Sequence, residues 1–151
     1  MILRLLLWHC EFIEYQDRRR STRPEELRVM KQPRFSEKFS DVLAAFTCVE
    51  LEDNEANVNV ATKEILSNLE MIGSGKDIVI VPFVHLSSKI AGPRRAVRVI
   101  DELILSLRKA KASVHKTSFG FHKDFELHFK GYGHPGSVCY RSIPQEGAST
   151  V

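Results

Sequence analysis

Apolar positions crowd the start of the chain. Ile2 to Trp8 reads as a core strand, and Glu11 to Tyr15 continues as an alternating segment, Phe12 and Ile13 beside Glu11 and Glu14. Residues 17–38 are polar and charged, DRRRSTRPEE followed by Pro33, which predicts a loop or hairpin excursion. Val42 to Leu51 (VLAAFTCVEL) is almost wholly apolar and β-rich, as a central strand would be. Val58, Ala61, Ile65, Leu69 and Ile72 then recur at helical spacing over Asn57 to Ile72, and Gly73 with Gly75 stops the run. Asp77 to Phe83 is a short, continuously apolar strand, ended by Pro82. Gly92-Pro93 opens a second helix with Ala96, Ile100, Leu103, Leu107 and Ala110 on one face. Ala112 to Ser118 is a weaker strand, and Asp124 to Lys130 alternates, Phe125, Leu127 and Phe129 opposing Glu126, His128 and Lys130. After Pro135 the pattern is irregular. The order β-β-β-α-β-α-β-β, give or take a strand, predicts an α/β fold: a mixed β-sheet with two helices packed on it. Residues 1–144 are expected to form the domain and 145–151 a linker or tail.

Composition changes this picture little. The 151 residues suit one domain with a single core, and 43% hydrophobic with 27% charged residues is an ordinary globular balance. A net charge of +3 permits nucleic-acid contact without requiring it. Cys10, Cys48 and Cys139 are few and widely spaced, so no disulfide framework is expected and a reducing, cytoplasmic setting fits. MILRLLLW is broken by Arg4, and its apolar run Leu5 to Trp8 is too short for a signal peptide. No segment is apolar for long enough to cross a bilayer, so no membrane partner is expected.

Two junctions could carry chemistry. PFVHLSSKIAGP, Pro82 to Pro93, runs from an apolar strand into His85, Ser87 and Ser88, and ligands of α/β sheets gather beyond strand ends. Residue chemistry alone favours a plainer account, a half-buried histidine and two helix-capping serines. SFGFHKDFELHFKG, Ser118 to Gly131, sets Lys123 at a strand mouth near Phe119 and Phe121. There it is either a partly desolvated cation for a developing oxyanion or a solvated lysine guarding a strand edge. The spacing of His122, His128, His134 and Cys139 fits no zinc motif, so no metal is expected, nor any other cofactor. No G-x-S-x-G elbow or P-loop is present, and GSGKD, Gly73 to Asp77, closes a helix rather than opening one. Arginines form two groups. Arg18 to Arg20 with Arg23 read as solvated, whereas Arg94, Arg95 and Arg98 begin a helix, where backbone donors add to their attraction for phosphate.

Taken in order, LLLWHCEFIEY, LAAFTCVE, PFVHLSSKIAGP and FGFHKDFELHFKGYGHP resemble the N-terminal editing domain of archaeal threonyl-tRNA synthetases, over Ile2 to about Pro144. The resemblance implies a D-aminoacyl-tRNA deacylase-like fold and hydrolysis of serine wrongly esterified to threonine tRNA. It implies that Val49, Pro82, Phe83 and Val84 line the pocket for the terminal adenosine and amino acid. His85 is expected to set polar geometry there, and Lys123 to be the main catalytic side chain. It further implies the tRNA acceptor end as partner, the rest of a synthetase in cis or in trans, and a homodimer. His122 stands where the family pattern has a tyrosine. Val138 stands where it has a carboxylate, so the acidic partner is either replaced, lost or supplied by Glu126 or Glu146. A free-standing D-aminoacyl-tRNA deacylase and a non-catalytic tRNA-binding or dimerisation module remain open readings.

Overall fold

In a computed structural model, residues 2–21, 36–51, 55–73, 75–131 and 136–144 are described. They form β1 (Ile2–Arg20), β2 (Ser36–Cys48), α1 (Glu55–Ile72), β3 (Asp77–Pro82), a single 3-10 turn (Val84–Leu86), α2 (Pro93–Lys109), β4 (Val114–Lys116), β5 (Phe121–Phe129) and β6 (Val138–Pro144). The expected class holds: one mixed sheet, ordered β4-β3-β2-β1-β5, with β6 added to β1. Strand β1 is the spine. One edge pairs with β2 from Arg4↔Cys48 to Gln16↔Ser36, and the other carries β6 along Ile2 to Trp8 and β5 along Cys10 to Arg20. Strands β2, β3 and β4 run parallel to one another.

The two faces of the sheet pack differently. Leu3, Leu5, Leu7, Leu43, Ile78 and Ile80 bury one face against the apolar stripes of α1 and α2. The opposite face carries Val42, Ala44, Phe46, Val79 and Val81, with Trp8, Phe83 and Phe125 packed around them. Phe46 sits among these rings, with centroids 6.3 Å from Trp8, 5.2 Å from Phe83 and 5.6 Å from Phe125. Phe46 pairs through Leu6, whereas Phe125 pairs with Tyr15 further along β1. Their rings meet because the sheet curls over this face, and the curl shapes a cleft at one end.

The bend lies at Glu11 and Asp41. The β1–β5 register shifts between Cys10 and Phe12. Asp41, opposite in β2, takes φ +53, a left-handed conformation that Asp and Asn tolerate better than most residues. Its carboxylate accepts from Lys76 Nζ at 2.6 Å and His9 Nε2 at 3.0 Å, with Lys130 Nζ at 3.6 Å.

Several expectations are corrected. The two N-terminal segments are one strand, because the irregularity at Glu11 changes the phase of alternation without ending the pairing. The polar stretch 17–38 gives residues 17–20 to β1 and 36–38 to β2, while 22–35 lies outside the described residues. Strand β2 ends at Cys48, short of Leu51. The stretch after Pro135 contains β6. There the inward side holds Cys139 and Ile143 but also Arg141, bonded to Glu64 at 3.1 Å, and the outward side exposes Val138 and Tyr140, so the hydropathy alternation is blurred. Residues 145–151 lie outside the described residues.

Lys76, then His9, hold the Asp41 carboxyl at about 2, below its ordinary 3.8. A depressed folded-state value stabilises the protein above the ordinary value, and that stabilisation is lost as pH falls through 3.8 toward 2. Asp41→Asn keeps a residue suited to the backbone and removes the titrating charge. Denaturant midpoints measured between about pH 5 and pH 2 should fall less steeply in this variant than in the parent.

Candidate active site

The cleft opens beyond the C-terminal ends of β3 and β4, where two irregular segments form its walls. One wall is residues 83–91. Pro82 ends β3, and Phe83 N–H still donates to Thr47 O at 2.9 Å before the chain leaves the sheet. The segment then returns beside residues 49–51: Ala91 N–H donates to Val49 O at 2.9 Å and Leu51 N–H to Lys89 O at 3.1 Å. Glu50, buried between them, accepts from Ser87 Oγ at 2.7 Å and Arg4 Nε at 2.6 Å. Ser87 therefore braces this loop instead of capping a helix, its Oγ also accepting from Lys89 N–H at 3.0 Å.

The second wall is residues 117–121. Thr117 N–H extends the β4 ladder to Ile80 O at 3.1 Å, and the chain then crosses to the start of β5. Gly120 makes the turn at φ +90, a conformation that costs glycine little, and its carbonyl accepts from Ser21 N–H at 2.7 Å. Behind this wall, Lys123 Nζ lies 3.0 Å from Asp17 Oδ1, with side chains 6% and 0% exposed. Ser118 Oγ donates to the same carboxylate at 2.7 Å. The ammonium also lies 5.5 Å from the Tyr15 ring centre and 5.8 Å from that of Phe121, within cation–π range. Burial pushes the Lys123 ammonium down from its ordinary value, while the hydrogen bond and charge of Asp17 oppose that shift.

The cleft has two adjoining lobes. The first, about 250 Å³, is lined by Thr47, Val49, Phe83, Ala91, Ala96 and Ile100. The second, about 350 Å³, is lined by Phe83, His85, Ser118, Phe121, His122 and Lys123. Ser21, Pro82, Phe83, Val84 and Phe119 border both. The structure thus brings together Val49, Pro82, Phe83, Val84, His85, His122 and Lys123. His85 and His122 are exposed, and the His85 ring meets that of Phe83 edge-on at 5.1 Å. Arg94, Arg95 and Arg98 occupy the first turns of α2, whose Pro93, Ala96 and Ile100 line the first lobe. Lys123 is a desolvated cation rather than an edge-guarding one.

The described candidate for an acidic partner is not at this site, nor is the position where the family has a carboxylate. Glu126 is exposed and pairs with Glu14, on the side of β5 opposite Lys123. Val138 pairs with Trp8, in the half of β1 that carries β6. Glu146 lies outside the described residues. The carboxylate beside Lys123 is Asp17, from the polar stretch whose local pattern predicts a loop. A signal for it existed: Ile13, Tyr15 and Asp17 share the buried phase of one strand, and a carboxylate there needs a cation. Among the described residues, no three His, Cys, Asp or Glu side chains are grouped as a metal ion would require, and the three cysteines are free thiols. No helix among them is long and apolar enough to cross a membrane.

The curled sheet with two helices on one face is shared with solved structures of very different sequence. A c-Myc DNA unwinding element binding protein superposes with a TM-score of 0.68 at 12% identity, over 93% of this chain and 99% of its own. A probable eukaryotic D-amino acid tRNA deacylase superposes with a TM-score of 0.59 at 10% identity, over 95% and 100%. The fold is therefore D-aminoacyl-tRNA deacylase-like, and at such identities these likenesses speak for fold alone.

Sequence relatives are more specific. The family model described as the archaea-specific editing domain of threonyl-tRNA synthetase matches residues 3–143, and the chain belongs to that family. The threonine–tRNA ligase of Methanosarcina mazei is 33% identical over 150 residues, 97% of this chain and 23% of the ligase. That of Staphylothermus marinus is 34% identical over 151 residues, 99% and 24%. The chain spans about a quarter of the length of these relatives.

Replacing Glu50 with alanine should show what holds the first wall. Ser87 and Arg4 would each lose a buried partner, at a cost of about 1–3 kcal/mol. Amide exchange should quicken at Leu51 and Ala91, with little change in β1.

Proposed function

We propose that this domain hydrolyses L-serine from mischarged threonine tRNA, as the proofreading part of a threonyl-tRNA synthetase acting in cis or in trans. The observation that carries this reading is the buried Lys123 ammonium facing a cleft in a chain of the editing-domain family. The need for such a site is physical. Serine lacks one methyl of threonine, worth only about 1–3 kcal/mol in a binding pocket, so a second, hydrolytic site must remove the wrong ester.

In this reading the terminal adenosine lies in the first lobe, against Val49, Pro82, Phe83 and Val84, and the seryl ester enters the second. Arg94, Arg95 and Arg98 meet the phosphates leading to it, aided by the amides at the start of α2. A water attacks the ester carbonyl, and Lys123 orients it or stabilises the oxyanion of the tetrahedral intermediate. The ester C–O bond then breaks, and the neighbouring ribose 2'-hydroxyl relays a proton to the departing 3'-oxygen. His85 and His122 fix the polar rim of the lobe. His122, where the family has a tyrosine, supplies a ring N–H in place of a hydroxyl. Threonine's methyl displaces the water or the lysine, so discrimination acts on the transition state.

Residues 1–144 constitute the domain and 145–151 a linker or tail, and the protein works in the cytoplasm. The exposed Phe129, Val138 and Tyr140, near Trp8 on the open face of β1, favour pairing with a second copy.

Lys123→Ala should lower single-turnover deacylation of seryl-tRNA(Thr) by about 100-fold or more. Hydrolysis at the parent rate would end this reading.

A further inference from the structure

Asp17 meets Lys123 on the inner side of a β1–β5 rung, where the two residues are directly paired. The carboxylate is fully buried and fastened from a second element by Ser118 of the crossing loop. Other charged and titratable groups around Lys123 are engaged elsewhere or stand at the rim of the lobe. The Tyr15 hydroxyl donates to Glu37 of β2 at 2.9 Å, Arg20 lies over the Phe121 ring, and the exposed His122 borders the lobe. His85 stands at the cavity rim on the facing wall.

We propose that Asp17 is the positioning residue of this site, its buried carboxylate holding the Lys123 amine charged and aimed into the cleft. The inference rests on Lys123 acting as proposed above. Tyr15 and Phe121 give the ammonium an apolar setting that by itself favours the neutral amine, which stabilises an oxyanion poorly. A carboxylate at hydrogen-bond distance reverses that preference. It also fixes a flexible four-carbon side chain in one direction. Through Ser118 it sets the wall that bounds the substrate lobe, so the lysine and the cavity it serves are positioned by one group.

The test compares the parent with Asp17→Asn, Asp17→Glu and the double variant Asp17→Asn/Lys123→Met. Three quantities are measured: magnetic-resonance titration of Lys123 Nζ, single-turnover hydrolysis of seryl-tRNA from about pH 5.5 to 9, and thermal unfolding. Asp17→Asn should move the lysine titration and the basic limb of the rate profile downward together. The rate loss should reach about tenfold or more at the basic end and be smallest at the acidic end. Asp17→Glu should recover part of both. The double variant should melt above Asp17→Asn, because no uncompensated ammonium remains buried.

An unmoved titration and an unmoved rate profile in Asp17→Asn would overturn the proposal, whatever its melting temperature. A double variant no more stable than Asp17→Asn would do the same. If the lysine titration shifts while the rate profile stays put, Asp17 keeps its positioning role and the catalytic assignment of Lys123 falls instead. Should Asp17→Asn fail to fold, the double variant decides: folding supports the proposal, and failure to fold refutes it.

Discussion

A lysine and an aspartate, both withdrawn from water, meet where β1, β5 and the 117–120 crossing come together. Taking either ion out of water costs several kcal/mol, and only a close, hydrogen-bonded partner offsets it. Three pieces of chain are thereby constrained at once. Strand β1 must continue as far as Asp17, β5 must begin early enough to set Lys123 opposite, and the crossing must bring Ser118 over the carboxylate. Each condition follows from the need to satisfy these charges, and together they fix the floor of the cleft.

The facing wall obeys the same rule. Residues 83–91 are mostly irregular, and irregular chain near a core must find partners for its polar groups. Glu50 supplies them by gathering Ser87 and Arg4, while the backbone bonds at Val49, Leu51 and Thr47 hold the segment's ends. Both walls are therefore loops anchored by a buried carboxylate. Phe83 and Phe119 lie between the anchors and border both lobes. A site built this way keeps its shape without long regular elements, which leaves its lining free to vary while the curled sheet stays the same.

That separation accounts for the pattern of likeness. Solved structures at 10–12% identity share the curl and the two helices, because the apolar face under α1 and α2 and the ring cluster around Phe46 can be met by many sequences. The editing-domain family, by contrast, is matched through residues 3–143, which include both walls.

The sequence by itself determined the class of fold, both helices and the parallel strands, because their apolar residues recur at the periods that helices and buried strands require. It also marked the two junctions that became the walls, since an apolar run that breaks at histidine, serine or lysine announces a strand end. Tertiary structure alone decided the rest. Pairing with β5 made a strand of the charged residues 17–20, which local pattern assigned to a loop. Strand β6 exists because β1 offered an unpaired edge, and its mixed pattern, with Arg141 inside and Tyr140 outside, gave no clear local sign of it. Likewise, spacing could not tell Asp17 from Glu126 as the partner of Lys123. Which carboxylate faces a lysine depends on side-chain phase and on a cross-strand register set 106 residues along the chain, and both are settled only when the strands meet.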